Sequence, residues 1–299
     1  MSKTTKIGLA LGGGGARGLA HLSVLRVFEE NRIPIAAIAG TSIGSIIGAA
    51  YALEPNIDKL QAQIVAFLQS PKFRESGLDL FKKKTAAENL FGQIATYLKE
   101  RIVINLAPSR PSLVGPWRVS RAVEALLAGK SFADCRIPFA CIATDLRTGE
   151  EVVFRDGDLR KAVQASMSIP GFLPPVEYDG HLLVDGAVVS PVPVASCRAL
   201  GVDVVVAVDV GQSLERDGEL DNVINIIFRS NSITTRKYTE MLLQEAEVII
   251  RPKIGDLHWS EFSKLPMVLA AGEAAAREAL PKIRRFVEPK RSFWQRLFD

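Results

Sequence analysis

Short apolar runs alternate with amphipathic stretches along the first part of the chain. Residues 7–11 form an apolar run closed by four glycines, which predicts a buried strand, and residues 16–31 carry leucine and valine at helical spacing. Residues 35–39 predict a second buried strand, and a turn over residues 40–44 leads into a small-residue helix over residues 45–53. This alternation is typical of an α/β fold in which crossover helices join parallel strands.

The same alternation resumes in the second half of the chain. The pattern there predicts strands over 139–144, 151–154, 203–208 and 248–251 and helices over 159–168 and 266–286. Residues 177–184 predict a β-hairpin, because Asp179-Gly180 accepts the positive φ of a tight turn. Between the two halves, residues 58–101 predict helices, and residues 107–116 form a loop rich in proline and serine.

The composition limits the class of protein. Of the 299 residues, 47% are hydrophobic and 23% are charged, which is typical of a globular protein and not of a disordered or disulfide-stapled chain. One large α/β domain is admissible at this length, and we expect it to span residues 5–287. Cys135, Cys141 and Cys197 form no CxxC pair, which favours a reducing compartment and argues against a structural zinc site. We therefore expect a cytoplasmic protein.

The sequence favours neither a secretion signal nor a membrane-spanning helix. The apolar run after Lys6 is too short for a signal peptide. Residues 33–53 carry no charge and are long enough to cross a bilayer, which leaves a membrane helix as an alternative. Pro34, Thr41 and Ser45 fall inside this stretch, so that a buried strand, turn and helix explain it better.

Positive charge is concentrated in two segments, although the net charge of the chain is only +4. Residues 72–118 hold nine basic and four acidic residues, and residues 282–299 hold six basic and two acidic residues. We expect the first segment to form a lid-like helical and loop region over a site. In the tail over residues 288–299, Trp294 and Phe298 lie among basic residues, which predicts an anchor for an anionic membrane surface. Solvated helix faces are the alternative interpretation of both segments.

A glycine-rich loop, GGGGARG over residues 12–18, separates the first predicted strand from its helix. Gly13, Gly15 and Gly18 match the GxGxxG pattern of dinucleotide sites, but residues 38–41 lack the acidic side chain that would bind the ribose. A phosphate-binding Walker loop would need a lysine after the last glycine, and none is present. The loop is therefore expected to present backbone N–H groups to another kind of anion.

A second motif, GTSIG over residues 40–44, has the form GxSxG. A nucleophilic serine on a sharp strand-to-helix turn needs glycine on both sides, so Gly40 and Gly44 make Ser42 the candidate nucleophile. A turn serine that caps a helix is the alternative. Ligands of parallel sheets bind beyond the carboxyl ends of the strands, and we expect both glycine loops to converge there. The oxyanion of an attacked ester would then meet the amides of four residues: Gly13, Gly14, Gly15 and Ala16.

A nucleophilic serine needs a proton acceptor, and the sequence offers two candidates. His258 is one, because Ser42, Asp185 and His258 follow the chain order of α/β-hydrolase triads. Asp185, which ends an apolar run and precedes a glycine, is the other, although such an aspartate is also an ordinary turn residue. His21 lies inside a predicted helix, where we expect it to be packed or half-exposed, and His181 lies beside the hairpin turn. The residues alone leave the choice open.

Together these motifs resemble those of the patatin-like phospholipases of the compact bacterial type. The shared features, over roughly residues 5–210, are the glycine-rich segment 13–18, GxSxG at 40–44, a DGA triplet at 185–187 and the stretch 165–175. The resemblance implies a three-layer α/β/α fold with a mostly parallel central sheet. It also implies a dyad of Ser42 and Asp185 without histidine, and no cofactor or metal. The motif residues that would support this dyad are Arg17, Gly18, Gly40, Gly44, Gly186 and Ala187.

The function that we expect is that of a serine acyl hydrolase. The resemblance implies cleavage of fatty-acyl esters of phospholipids or lysophospholipids through an acyl-serine intermediate. We expect peripheral contact with the inner membrane surface and no nucleic-acid partner. Two alternatives stay open: a non-enzymatic regulator that uses the same fold to bind a protein and, more remotely, an esterase with a Ser-His-Asp triad.

Overall fold

An eight-stranded sheet lies at the centre of the protein in a computed structural model that describes residues 5–71, 73, 112, 117–127, 129–214, 223–255 and 257–287. The strands are β1 (Ile7–Leu11), β2 (Ala37–Thr41), β3 (Phe139–Asp145), β4 (Glu151–Phe154), β5 (Val176–Tyr178), β6 (His181–Asp185), β7 (Val204–Val208) and β8 (Val248–Ile250). The predicted lid-like segment 72–118 lies largely outside the described residues, and the tail over residues 288–299 lies outside them completely.

Helices connect most of these strands. They are α1 (Ala20–Glu30), α2 (Ile43–Leu53), α3 (Ile57–Gln69), α4 (Trp117–Leu127), α5 (Leu159–Ser166), α6 (Val194–Arg198), α7 (Val223–Leu243) and α8 (Leu265–Val287). Short 3-10 helices cover Gly15–Leu19, Phe132–Asp134, Gly186–Val188 and Phe262–Lys264. The side chains of Asn56 and Asp158 accept backbone N–H groups at the starts of α3 and α5, so that both starts are encoded locally.

The sheet has the strand order β5-β6-β3-β2-β1-β7-β8, with β4 also paired to β3. β1 pairs in parallel with β2 and β7, β2 with β3, and β7 with β8. β4 and β6 are antiparallel to β3, and β5 and β6 form the predicted hairpin, with positive φ at Asp179 and Gly180. The carboxyl ends of the central parallel strands therefore share one edge of the sheet.

Helices cover both faces of the sheet. Ile7, Leu9 and Leu11 of β1 join a hydrophobic cluster with residues of α1, α2 and α8. Ala10 points to the opposite face and joins a second cluster with residues of α6 and with Leu243 of α7. The protein thus has a mixed α/β fold with a central, mostly parallel sheet between helical layers, which confirms the predicted fold class.

Some elements differ from the sequence-based prediction. β2 covers Ala37–Thr41, two residues later than predicted, because its backbone pairs with β1 and β3 over those residues. The predicted helix over 16–31 is divided into a 3-10 helix and α1. α7 is absent from the prediction, since its sequence is rich in the β-branched residues isoleucine, threonine and valine, which have low helix propensity.

No helix in the described part of the chain is both long and apolar enough to span a bilayer. The uncharged stretch 33–53 is divided into β2, a turn and α2, and most of its residues are buried inside the protein. These elements are the strand, turn and helix that the sequence favours over a membrane helix.

Candidate active site

Ser42 lies on the sharp turn between β2 and α2. Its φ of 54° and ψ of −122° fall outside the regions that non-glycine residues favour, and its N–H donates to Ser166 Oγ at 2.9 Å. A Cβ on Gly44 would lie 2.2 Å from the carbonyl oxygen of Leu11, so glycine is required where α2 approaches β1. A Cβ on Gly40 would lie 2.5 Å from the carbonyl oxygen of Gly44. This strained turn has the geometry of a nucleophile elbow.

Asp185 ends β6, which is separated from β2 in the sheet by β3. Ser42 Oγ donates to Asp185 Oδ2 at 2.6 Å, and the N–H of Ala187 donates to Asp185 Oδ1 at 2.8 Å. Both Ser42 and Asp185 are buried. The structure therefore brings together two predicted site residues that lie 143 positions apart in the sequence.

Burial makes Asp185 easier to protonate than an exposed aspartate. Burial raises the pKa of Asp185 to about 6, although the hydrogen bonds from Ser42 and from the Ala187 amide lower it. No ion pair with this carboxylate is formed within the described ranges. A carboxylate with a pKa near neutrality that is bonded to a serine hydroxyl has the properties of a general base.

The glycine-rich loop passes directly beside the serine. A Cβ placed on Gly13 would be 3.2 Å from Ser42 Cβ. The N–H of Gly13 donates to the carbonyl oxygen of Pro191 at 2.9 Å, and the N–H of Ala16 donates to that of Trp259 at 2.6 Å. These two amides hold the loop in place and are not free for a ligand.

Gly14 and Gly15 complete the predicted set of amide donors. Neither N–H has a hydrogen-bond acceptor in the part of the chain that the structure describes. Both residues line the same cleft as Ser42 and Asp185. Of the four predicted donors, Gly14 and Gly15 are thus the two whose N–H groups no described acceptor occupies, and they stay the candidates for an oxyanion hole.

Arg17 ties the loop to neighbouring segments. Its Nε donates to the carbonyl oxygen of Val210 at 3.0 Å, and its Nη1 donates to that of Leu257 at 2.9 Å. Burial lowers the pKa of Arg17 to about 10, while the charge of Asp209 raises it, so the guanidinium stays charged at neutral pH. Of the two roles that the sequence leaves open for this arginine, these contacts favour the structural one.

A buried histidine holds the glycine-rich loop. His21 is completely buried, which is the packed placement of the two that the sequence left open, and its Nε2 lies 2.8 Å from the carbonyl oxygen of Gly12. Burial lowers the pKa of His21 to about 4, so the ring is neutral and donates through Nε2 at pH 7. Gly18 packs on Ile43 at the start of α2, which brings the loop against the elbow.

The remaining histidines lie outside the dyad. His258 Nδ1 is 2.8 Å from Ser260 Oγ, and its backbone N–H donates to Glu261. His181 Nδ1 lies 2.9 Å from Asp145 Oδ2. Because the Ser42 hydroxyl is bonded to Asp185, the geometry favours the aspartate over His258 as the proton acceptor.

A cleft of about 360 Å³ opens at the serine and the aspartate. Gly186 follows Asp185, and a Cβ on it would lie 2.3 Å from the carbonyl oxygen of Ile142. The apolar side chains that line the cleft include Ile169, Pro170, Phe172, Val188, Val192 and Trp259. Within the described ranges, no three His, Cys, Asp or Glu side chains cluster in a way that could hold a metal ion. A hydroxyl, a carboxylate and two free amides in one cleft have the parts required for nucleophilic acyl transfer.

The chain is similar in sequence to proteins of one family. The family model described as "Patatin-like phospholipase" matches residues 9–198, which include Ser42 and Asp185. Patatin-like phospholipase domain-containing protein 6 of Homo sapiens is 33% identical over 71% of this chain and 14% of its own length. A lysophospholipase of Pyricularia oryzae is 33% identical over 71% of this chain and 12% of its own length. The chain thus spans less than a fifth of the length of these relatives.

A solved structure shares the fold. The crystal structure of VipD from Legionella pneumophila matches 95% of this chain and 67% of that protein with a TM-score of 0.51 and 13% sequence identity. The family model covers more than half of the chain, and the matched region contains the elbow, the glycine-rich loop and the aspartate. The chain therefore belongs to the patatin-like phospholipase family.

Proposed function

We propose that this protein is a serine acyl hydrolase that cleaves fatty-acyl esters of phospholipids or lysophospholipids. The observation that carries the proposal is the 2.6 Å hydrogen bond from Ser42 Oγ to Asp185 Oδ2, in a cleft beside two free amides. The names of the relatives, which include a lysophospholipase, support the substrate class. The apolar side chains that line the cleft support an acyl chain as the part of the substrate that lies in it.

In the proposed first half-reaction, Asp185 removes the proton of Ser42 as Oγ attacks the acyl carbon. The N–H groups of Gly14 and Gly15 stabilise the tetrahedral oxyanion. Asp185 then returns the proton to the leaving alcohol, which departs as the C–O bond breaks and leaves an acyl-serine. Because the Ala187 amide holds the second carboxylate oxygen, Asp185 keeps the same oxygen aimed at the serine.

In the second half-reaction, a water molecule replaces the alcohol. Asp185 takes a proton from the water as its oxygen attacks the acyl-serine, and the same two amides stabilise the new oxyanion. When the tetrahedral intermediate collapses, Ser42 Oγ receives the proton and the fatty acid leaves. The dyad returns to its starting state, so that one carboxylate serves both halves of the reaction.

The proposed base gives the reaction a defined pH dependence. We expect kcat/KM to fall about tenfold for each pH unit below about 6, because protonated Asp185 accepts no proton from Ser42. The measurement is p-nitrophenyl butyrate hydrolysis followed from acidic to mildly alkaline pH. A rate that stays constant down to pH 5 would contradict the assignment, and so would a midpoint that moves when His258 is replaced by alanine.

We also propose that the protein works in the cytoplasm, in peripheral contact with an anionic membrane surface. The basic segments that predict this contact lie largely outside the described residues. Support comes from α7, where Val223, Ile227 and Met241 are more than half exposed. Thr235 and Thr239 of the same helix line the cleft of the dyad, so the exposed apolar side chains lie on an element that borders the site.

The test of the proposed function is release of fatty acid by the purified chain. We expect hydrolysis of lysophospholipids and of short-chain p-nitrophenyl esters, followed by mass spectrometry of the released acid and by absorbance of the phenol. A folded wild-type protein that hydrolyses none of these esters would contradict the proposal and would favour a non-enzymatic, protein-binding role.

A further inference from the structure

The backbone of Ser42 is held on both sides by serine residues. Its N–H donates to Ser166 Oγ at 2.9 Å. Its carbonyl oxygen accepts the Ser45 hydroxyl at 2.6 Å and the Ser45 N–H at 2.8 Å. All three serines are buried. Because buried backbone groups must find partners within the protein, these bonds help to determine the conformation of the elbow.

The elbow needs such bonds because its backbone conformation is unfavourable. A φ of 54° and a ψ of −122° at Ser42 persist only where the surroundings enforce them. The carbonyl oxygen of Ser42 is bonded within its own element, since Ser45 lies in the first turn of α2. The N–H is bonded to a residue of α5 that lies 124 positions away in the sequence. Ser166 therefore holds the serine from outside its own turn and helix.

The carboxyl end of α5 gives the Ser166 hydroxyl a defined position. Ser166 is the last residue of that helix and is completely buried. The N–H of Met167 donates to the carbonyl oxygen of Val163 at 3.1 Å. The N–H of Ser168 donates to that of Ala165 at 3.0 Å. The helix thus ends in a hydrogen-bonded turn, and Ser166 lies within that turn.

The same turn also holds Asp185. The carbonyl oxygen of Ser168 accepts the N–H of Asp185 at 2.9 Å, and the hydroxyl of Thr144 on β3 donates to the carbonyl oxygen of Asp185 at 3.0 Å. The end of α5 therefore bonds to the backbone of both members of the dyad, through Ser166 to Ser42 and through Ser168 to Asp185. Any movement of the elbow relative to α5 would change the 2.6 Å separation of the Ser42 and Asp185 oxygens.

We propose that Ser166 is a positioning residue that keeps the Ser42 hydroxyl aimed at Asp185. The inference rests on the proposed function and adds to it a residue that does not line the cleft. Replacement of Ser166 by alanine leaves the buried N–H of Ser42 without its acceptor, so the elbow can relax towards a more favourable conformation. Because a misplacement of about 1 Å can cost about 10²-fold in rate, we expect attack by Ser42 to become about 10- to 100-fold slower.

The test measures the reactivity of Ser42 by its labelling with a fluorophosphonate. In this reaction Ser42 Oγ bonds to phosphorus, fluoride leaves, and Asp185 takes the hydroxyl proton. In Ser166→Ala, we expect the rate constant of labelling to fall by about 10- to 100-fold, and kcat/KM for p-nitrophenyl butyrate to fall by a similar factor. Ser166→Thr keeps an oxygen on Cβ and should recover both quantities to within about threefold of wild type.

The final labelled fraction distinguishes positioning from loss of folded protein. A positioning defect lowers the rate constant, whereas the fraction of Ser166→Ala that is finally labelled stays equal to that of wild type. A smaller labelled fraction that reacts at the wild-type rate would show a purely structural role and would overturn the proposal. So would a labelling rate of Ser166→Thr as low as that of Ser166→Ala, in protein with the wild-type Tm.

A buried serine on another helix provides the control. Ser196 on α6 bonds to the side chain of Glu151 and does not line the cleft of the dyad. Ser196→Ala should be labelled within about threefold of the wild-type rate. Wild-type labelling of Ser166→Ala, in a protein whose parent hydrolyses esters, would overturn this inference alone. A folded wild-type protein that reacts neither with the fluorophosphonate nor with esters would overturn the proposed function as well.

Discussion

Replacement of Ser42 by alanine is expected to reduce ester hydrolysis by at least about 10³-fold, the largest effect of any single substitution in this protein. The Ser42 hydroxyl supplies the atom that bonds to the acyl carbon, and the structure offers no second hydroxyl bonded to the Asp185 carboxylate among the described residues. The free amides of Gly14 and Gly15 remain, so a small residual rate above that of water is expected. The measurement is kcat/KM for p-nitrophenyl butyrate and for a lysophospholipid.

A matched control separates loss of chemistry from loss of a buried hydroxyl. Ser196 on α6 is also buried and bonds to the acidic side chain of Glu151, but it does not line the cleft of the dyad. Ser196→Ala should keep kcat/KM within about threefold of wild type, since it changes packing and one hydrogen bond only. Activity in Ser42→Ala equal to that in Ser196→Ala would show that Ser42 is not the nucleophile.

The second large effect is expected for Asp185→Asn. An asparagine has the same shape and can still accept the Ala187 N–H, but it cannot take the proton of Ser42, so kcat/KM should fall by about 10³-fold or more. His258→Ala should change the same quantity by no more than a few-fold, because its ring bonds to Ser260 and the serine bonds to the aspartate. The opposite result, with activity lost in His258→Ala and kept in Asp185→Asn, would establish a histidine base.

Thermal unfolding distinguishes a catalytic effect of Asp185→Asn from misfolding. An unfolded aspartate has a pKa near 3.9, whereas burial raises that of Asp185 to about 6. The folded state therefore binds the proton more tightly, and this residue makes the protein less stable as the pH rises from about 4 to about 6, by about 3 kcal/mol in total. Because asparagine carries no charge, the Tm of Asp185→Asn at pH 7 should equal or exceed that of wild type. A large decrease in Tm would instead indicate that the lost activity reflects unfolding.

Much of the fold follows from local patterns. The strands β1, β4, β7 and β8 and the hairpin of β5 and β6 lie within a residue or two of their predicted bounds, because apolar runs closed by glycine or proline specify them locally. The pattern does not predict α7, because its β-branched residues oppose a helix and its packing, through residues such as Leu243, must overcome that preference. The predicted start of β2 is also wrong, since pairing with β1 and β3 determines it.

The candidate site, like the fold, is predicted only in part from the sequence. Ser42, Asp185 and the glycine-rich loop are found from the sequence, because a sharp turn and a loop of free amides need glycine at fixed positions. No sequence pattern shows that the N–H groups of Gly13 and Ala16 bond to Pro191 and Trp259, which leaves Gly14 and Gly15 as the candidate donors. Nor does any local pattern reveal that Ser166 and His21 hold the elbow and the loop, since both act through backbone atoms of other segments.

The sequence by itself determined the α/β class, the two glycine motifs and the identities of a serine and an aspartate that could act as nucleophile and base. These features depend on the conformations of neighbouring residues, which the side chains within a few positions decide. The tertiary structure alone decided that β3 lies between the strands that carry the serine and the aspartate, and that their side chains meet at 2.6 Å. The physical reason is that the order of strands in a sheet, and with it every contact between distant residues, results from packing of the whole chain rather than from any one segment.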